Sequence, residues 1–151
     1  CIFCEAPKMG DDEALIAYRG KRAYVILNRF PYNSGHLMIA PYRHVASLED
    51  LDFEELVEVM FLVKVSIKAL REAYAPHGFN VGVNIGEAAG AGVAGHVHVH
   101  VVPRWVGDTN YMTVTSGVKV IPQLLEDTFK TLRPLMERIA GEHEGELLGR
   151  R

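Results

Sequence analysis

The sequence predicts an α+β fold, in which an antiparallel sheet of five strands is covered on one face by helices. Three observations carry this. Short apolar runs bounded by turn residues recur between residues 14 and 41 and again between 79 and 103. Between these blocks, residues 51–74 change to apolar steps of three and four, the signature of an amphipathic helix. A second stretch of that period occupies residues 123–140.

Residues 14–18 and Ala23–Leu27 form a hairpin turned by Arg19-Gly20-Lys21-Arg22. Pro31, Asn33, Ser34 and Gly35 make residues 28–35 a loop, and residues 36–41 are the third strand. The long helix presents Leu56, Val59, Met60, Val63, Ile67 and Leu70 to the core, and Met60 and Phe61 are expected to pack there or at its edge. Ser47 with Asp50, or Asp52 with Glu55, can cap its start, and Pro76-His77-Gly78 ends it. Residues 79–85 are a strand. The next ten residues, 86–95, hold four glycines and four alanines, so backbone N–H groups can approach a ligand closely there. Residues 96–103 are the fifth strand. Pro122 suits the first turn of the second helix, whose stripe is Leu125, Phe129, Leu132, Met136 and Ile139. Pro134 is expected to kink or split it near Arg133.

The chain of 151 residues fits one domain, expected over residues 1–140, with a charged tail over 141–151. With 48% apolar and 23% charged residues it has a globular composition. No apolar run nears the ~18 residues of a membrane span, and no signal peptide opens the sequence, so the expected location is cytoplasmic. Sixteen Lys and Arg against 19 Asp and Glu give a net charge of −3. That excludes the footprint of a general nucleic-acid binder, so an anionic ligand must be held locally. The two cysteines, Cys1 and Cys4, form a C-x-x-C, a spacing that means redox chemistry or a metal.

The run His96-Val97-His98-Val99-His100-Val101-Val102-Pro103 is the outstanding feature. Strand side chains alternate, so the three histidines share one face and the valines the other. The valines are expected to pack on the helices and the histidines to line an open face or cleft. Three adjacent imidazoles are costly when protonated together, which points to a use for them. Three imidazoles can hold a catalytic metal. Alternatively, one neutral imidazole attacks phosphorus while its neighbours position it and the phosphate. The Gly/Ala-rich loop before the strand suits phosphate oxygens, and no carboxylate flanks the strand, which favours the second chemistry.

This pattern, read with Val-Val-Pro-Arg after it and Asn84-x-Gly86 before it, resembles the histidine-triad family of nucleotide hydrolases and transferases. Asn28 and His36, eight residues apart, and Gly107-Asp108 are similar to the branch that cleaves dinucleoside polyphosphates. The resemblance covers about residues 1–111. It implies a five-stranded antiparallel sheet and a homodimer whose sheets join. By resemblance, His98 is the nucleophile at the α-phosphorus, His100 contacts the phosphate or leaving oxygen, and His36 supports the triad. Asn28 holds the ribose hydroxyls and Asn84 the phosphate region, while Phe30 and the strand Ala23–Leu27 flank the base. The family's Gln or Ser before the triad is absent from Ala91-Gly92-Val93-Ala94-Gly95, and backbone N–H groups of Gly92 and Val93 are expected to substitute. Trp105 and Tyr111, in a segment longer than the minimal pattern, are placed to stack on a second base. Some family members also bind a structural zinc, and here Cys1, Cys4, His44 and His96 match that ligand set. His77 and His143 are expected at the surface.

The expected function is cleavage of a dinucleoside polyphosphate through a nucleotidyl-histidine intermediate, with water or phosphate as acceptor. No redox cofactor, membrane or nucleic-acid polymer is implied. The alternatives are a nucleoside phosphoramidase acting on AMP–amine bonds and a nucleotide-binding module with vestigial catalysis.

Overall fold

The computed structural model describes residues 1–109, 115–117 and 123–148, with side chains as far as 143. Pro122, Tyr111 and Met112 lie outside the described residues. Five strands form one antiparallel sheet: β1 (Ile16–Arg19), β2 (Ala23–Leu27), β3 (Leu37–Pro41), β4 (Gly78–Val83) and β5 (Val99–Arg104). The spatial order is β1-β2-β3-β5-β4, so β5 lies between β3 and the edge strand β4.

Two short helices, α1 (Ile2–Glu5) and α2 (Asp11–Ala14), precede the sheet, and α3 (Phe53–Tyr74) and α4 (Leu125–Leu148) cover it. Of the two candidate caps for α3, Asp52 with Glu55 forms the capping box, and Ser47 instead precedes a 3₁₀ turn over Leu48–Asp50. The buried face of α3 is Val59, Leu62, Val63, Ser66, Ala69 and Leu70. It is turned from the predicted stripe, and Met60 is 58% exposed rather than in the core. Both orientations satisfy the three- and four-residue period; the sheet and α4, packed on adjoining sides, decide between them. Glu58 on α3 clamps the β1–β2 turn, accepting the N–H groups of Lys21, Arg22 and Ala23.

The helix α4 buries its predicted stripe, with Phe129, Leu132, Met136 and Ile139 in the core. It begins two residues later than predicted, passes through Pro134 unbroken and continues beyond Ala140 to Leu148. Pro134 and Lys130, whose carbonyl loses its helical donor, are both exposed, so the break in the ladder lies on the solvent side of the helix rather than in the core. The longer helix buries His143 against expectation: Lys68 Nζ donates to its Nε2 at 2.7 Å, and its ring meets Phe61 edge-on. His77 is exposed, as predicted.

Val99 and Val101 pack in the main core beneath α3 and α4. The opposite face carries a smaller cluster of Phe3, Ala6, Ala14, Ile16, Tyr24, Ile26, Met38 and Ala40, closed by the N-terminal segment. That face also carries the histidines. Among the described residues, no helix is long and apolar enough to cross a membrane.

Candidate active site

The strand β5 starts at Val99, so His96 and His98 belong to the extended segment leading into it, and His100 sits inside it opposite Met38 on β3 and Gly82 on β4. The histidines share a face, but that face is not open throughout. His96 and His98 are buried, the latter 5% exposed, and only His100 is half-exposed. The reason is Phe3. Its ring lies 4.5 Å from that of His98 and 5.3 Å from that of His96, and its carbonyl accepts the buried Tyr24 hydroxyl at 2.7 Å.

Hydrogen bonds to groups that can only accept or only donate fix the tautomer of each neutral ring. Nδ1 of His98 is 2.9 Å from the carbonyl oxygen of His96. A carbonyl only accepts, so Nδ1 carries the proton and Nε2 keeps its lone pair. His36 works the other way. The backbone N–H of Tyr32 donates to its Nδ1 at 3.1 Å, so Nε2 carries the proton and donates to His100 Nδ1 at 2.9 Å. His100 therefore holds its own proton on Nε2. One imidazole thus offers a lone pair while its neighbour, 4.8 Å away between centroids, offers an N–H.

Burial keeps these rings neutral. It pushes His36 down to about 3, helped by the positive charge that His100 and His98 would carry, and His100 down to about 4, helped by His98. His98 is also lowered, chiefly by burial.

The remaining candidates are distributed around this row. Asn28 follows β2; its Nδ2 lies 3.4 Å from His36 Nδ1 and its Oδ1 accepts the N–H of Phe30. Phe30 is 85% exposed, and Ala23–Leu27 is wholly buried, so that strand offers no open side chain to flank a base as expected. Both faces of that strand are packed, one by the helices and one by the N-terminal segment. Asn84 follows β4, and its Nδ2 donates to the carbonyl of Gly90 at 3.4 Å. The loop between them turns on Gly86 and Gly90, both at φ near +80°, a conformation that favours glycine. Gly92 is exposed and Val93 half-buried against the smaller cluster. Trp105 is half-buried, its backbone N–H donates to Asp108 Oδ2 at 3.1 Å, and it is not among the residues lining the cleft that borders His100.

Cys1, Cys4, His44 and His96 converge, their ligand atoms all within 4.8 Å of one another. Nε2 of His96 lies 2.9 Å from the carbonyl of Pro41, so it is protonated, and the lone pair of Nδ1 points to Cys1 Sγ at 3.4 Å and Cys4 Sγ at 3.6 Å. Cys4 Sγ lies 3.3 Å from His44 Nδ1. A tetrahedral zinc would space S and N ligands by about 3.5 Å, so the four side chains can hold such an ion. Two supports position His44. Arg43 beside it is tied through Nε and Nη2 to Glu55 of the capping box, at 2.8 and 2.6 Å. Gly95 runs alongside the ring, its Cβ position 3.4 Å from His44 Nε2, an ordinary van der Waals contact.

Sequence reasoning missed Phe3, Tyr32, Asn80 and Arg104. Alternation from His100 through Val102 puts Arg104 on the histidine face, a signal that was available. The others depend on the β4–β5 register and on the path of two loops.

Comparison with known proteins agrees with this geometry. The HIT domain family model matches residues 10–106. An AP-4-A phosphorylase of Mycobacterium tuberculosis is 52% identical over 130 residues, covering 86% of this chain and 67% of that protein. An asymmetrical bis(5'-nucleosyl)-tetraphosphatase of Schizosaccharomyces pombe is 32% identical over 62% of this chain and 50% of its own length. The solved structure of a Zn-bound histidine triad family protein from Mycobacterium smegmatis superposes with a TM-score of 0.74 at 26% identity, covering 94% of this chain and 96% of that one. With its histidines alternating along β5 and the segment leading into it, and the family model matching most of its length, the chain belongs to the HIT domain family.

Proposed function

We propose that this protein cleaves dinucleoside polyphosphates of the diadenosine tetraphosphate kind at the α-phosphorus, through a nucleotidyl group carried on His98. The observation that carries this is the 2.9 Å bond from His98 Nδ1–H to the His96 carbonyl, which aims an unprotonated Nε2 away from the backbone. In the first step the Nε2 lone pair forms a bond to the α-phosphorus, and the bond to the bridging oxygen breaks. The departing nucleotide leaves with that oxygen, towards which His100 Nε2–H is the donor. In the second step an acceptor oxygen attacks phosphorus and the P–N bond breaks, restoring His98.

His36 holds the His100 tautomer, Asn28 takes the ribose hydroxyls, and Asn84 with the N–H groups of Gly92 and Val93 receives phosphate oxygens. Phosphate is the favoured acceptor, supported by the name of the 52% identical relative. The catalytic unit is one domain over residues 1–140, prolonged by the rest of α4.

Zinc held by Cys1, Cys4, His44 and His96 has a structural role, because four protein ligands leave no place for water. A homodimer is supported by β4, which ends the sheet with no further strand beside it among the described residues, and by Phe53, Val57 and Met60, exposed along one side of α3.

The test is product analysis with diadenosine tetraphosphate. With phosphate present, transfer of AMP to phosphate gives ADP and ATP. AMP and ATP in all conditions would replace phosphate by water as acceptor. Faster cleavage of an AMP–amine than of the dinucleotide would overturn the substrate class.

A further inference from the structure

A cleft of about 290 Å³ borders His100 on the side of β4. Gly82 and Val102 form its floor, and Asn80, Asn84, Arg104 and Tyr32 its walls. The volume is at the lower end for small-ligand sites, enough for one nucleoside rather than a whole dinucleotide.

Its charge is already balanced. Arg104 gives Nε and Nη2 to Asp108 at 2.6 and 2.8 Å, and Nη1 to Asn80 Oδ1 at 2.6 Å. An arginine committed in this way is a poor receptor for a free phosphate. It does orient Asn80: guanidinium only donates, so the amide oxygen faces Arg104 and the two N–H bonds of Nδ2 are turned to the cleft. Neutral amides, an aromatic ring and an apolar floor match the edges and faces of a nucleoside. The loop bearing Tyr32 is held over the site by Asn33, whose Nδ2 donates to the Pro103 carbonyl and to Asp108 at 2.9 and 2.7 Å.

Position relates this cleft to the reaction. In the order β2-β3-β5-β4, Asn28 lies at the end of β2, whereas the cleft lies over β5 and β4. The paired rings of His36 and His100 stand between the two. We propose that this cleft binds the nucleoside of the departing nucleotide, so that a dinucleoside polyphosphate straddles the histidines with one nucleoside on each side. This rests on the reading of the substrate as a dinucleoside polyphosphate.

The test compares diadenosine tetraphosphate with adenosine 5'-tetraphosphate, which keeps the phosphate chain and lacks the second nucleoside. Two variants act differently on the cleft. A Cβ on Gly82 would meet no atom within 4 Å, so Gly82→Val directs its side chain into the open space of the cleft. Asn80→Asp keeps the acceptor for Arg104 and removes both N–H donors. Each should lower kcat/KM for the dinucleotide at least tenfold and leave the mononucleotide within about twofold, at an unchanged melting temperature. Equal losses on both substrates would overturn the proposal, since the cleft would then serve the transferred nucleotide. No loss on either, or a wild-type protein indifferent to the second nucleoside, would overturn it as well. Wild-type protein that cleaves neither compound refutes the substrate reading itself, and this assignment with it.

Discussion

The roles of three neighbouring imidazoles are set by what their second nitrogens touch. A backbone carbonyl accepts the Nδ1–H of His98, a backbone N–H donates to the unprotonated Nδ1 of His36, and His100 follows His36. In the proposed mechanism, removing the ring of His98 deletes a bond made in the reaction rather than one that holds the ground state. His98→Ala is expected to abolish turnover and to keep nucleotide affinity within about tenfold, read by steady-state kinetics beside equilibrium binding. The same burial makes folding sensitive to acid. An unfolded histidine takes a proton near pH 6.5, whereas folded His36 and His100 resist until about 3 and 4. Between those limits the unfolded chain binds more protons, so stability is full above about pH 6.5 and falls as the pH drops towards 4. Urea unfolding at pH 7.5 and 5 should show the loss, and His100→Asn should lose less between the two.

The elements were legible wherever a period was long enough to count, and less so where packing had to choose. The existence of α3 followed from its three- and four-residue steps, but its rotation did not, because Met60 and Leu62 fit the period equally well until the neighbours are known. Helix α4 outran its expected end because Gly141 and the charged residues after it read as tail, whereas the helix continues through them and buries His143. The strand β5 was correctly located by its valines, yet its first histidines lie before the ladder begins. Of the site, the alternating histidines could be read directly. Phe3 could not: a phenylalanine between two cysteines gives no sign that it will roof an imidazole some ninety-five residues onward. The cleft was equally hidden, since it exists because register sets Gly82 beside His100.

At the scale of the whole molecule, the cysteines join the N-terminal turn to the loop after β3 and to the triad segment. Ordering α1 fixes Phe3 on His98, so the Cys/His cluster and the histidine face share one support. Protein purified without a tag should carry about one zinc per chain by elemental analysis. Chelation, or Cys4→Ser, should lower the melting temperature by more than it lowers the rate per folded molecule. Metal-free protein of full stability would exclude a structural zinc.

The separation of 95 residues between Cys1 and His96 also has a consequence in time. At the usual pace of synthesis, roughly 5–20 residues per second, the thiols wait about 5–20 s before the imidazole that completes their cluster is made. For that interval they are two uncommitted nucleophiles a turn apart. In oxidising surroundings they could pair with each other, and the cluster would be lost before β5 existed. The order in which the chain is written thus ties assembly of this site to a reducing environment during translation.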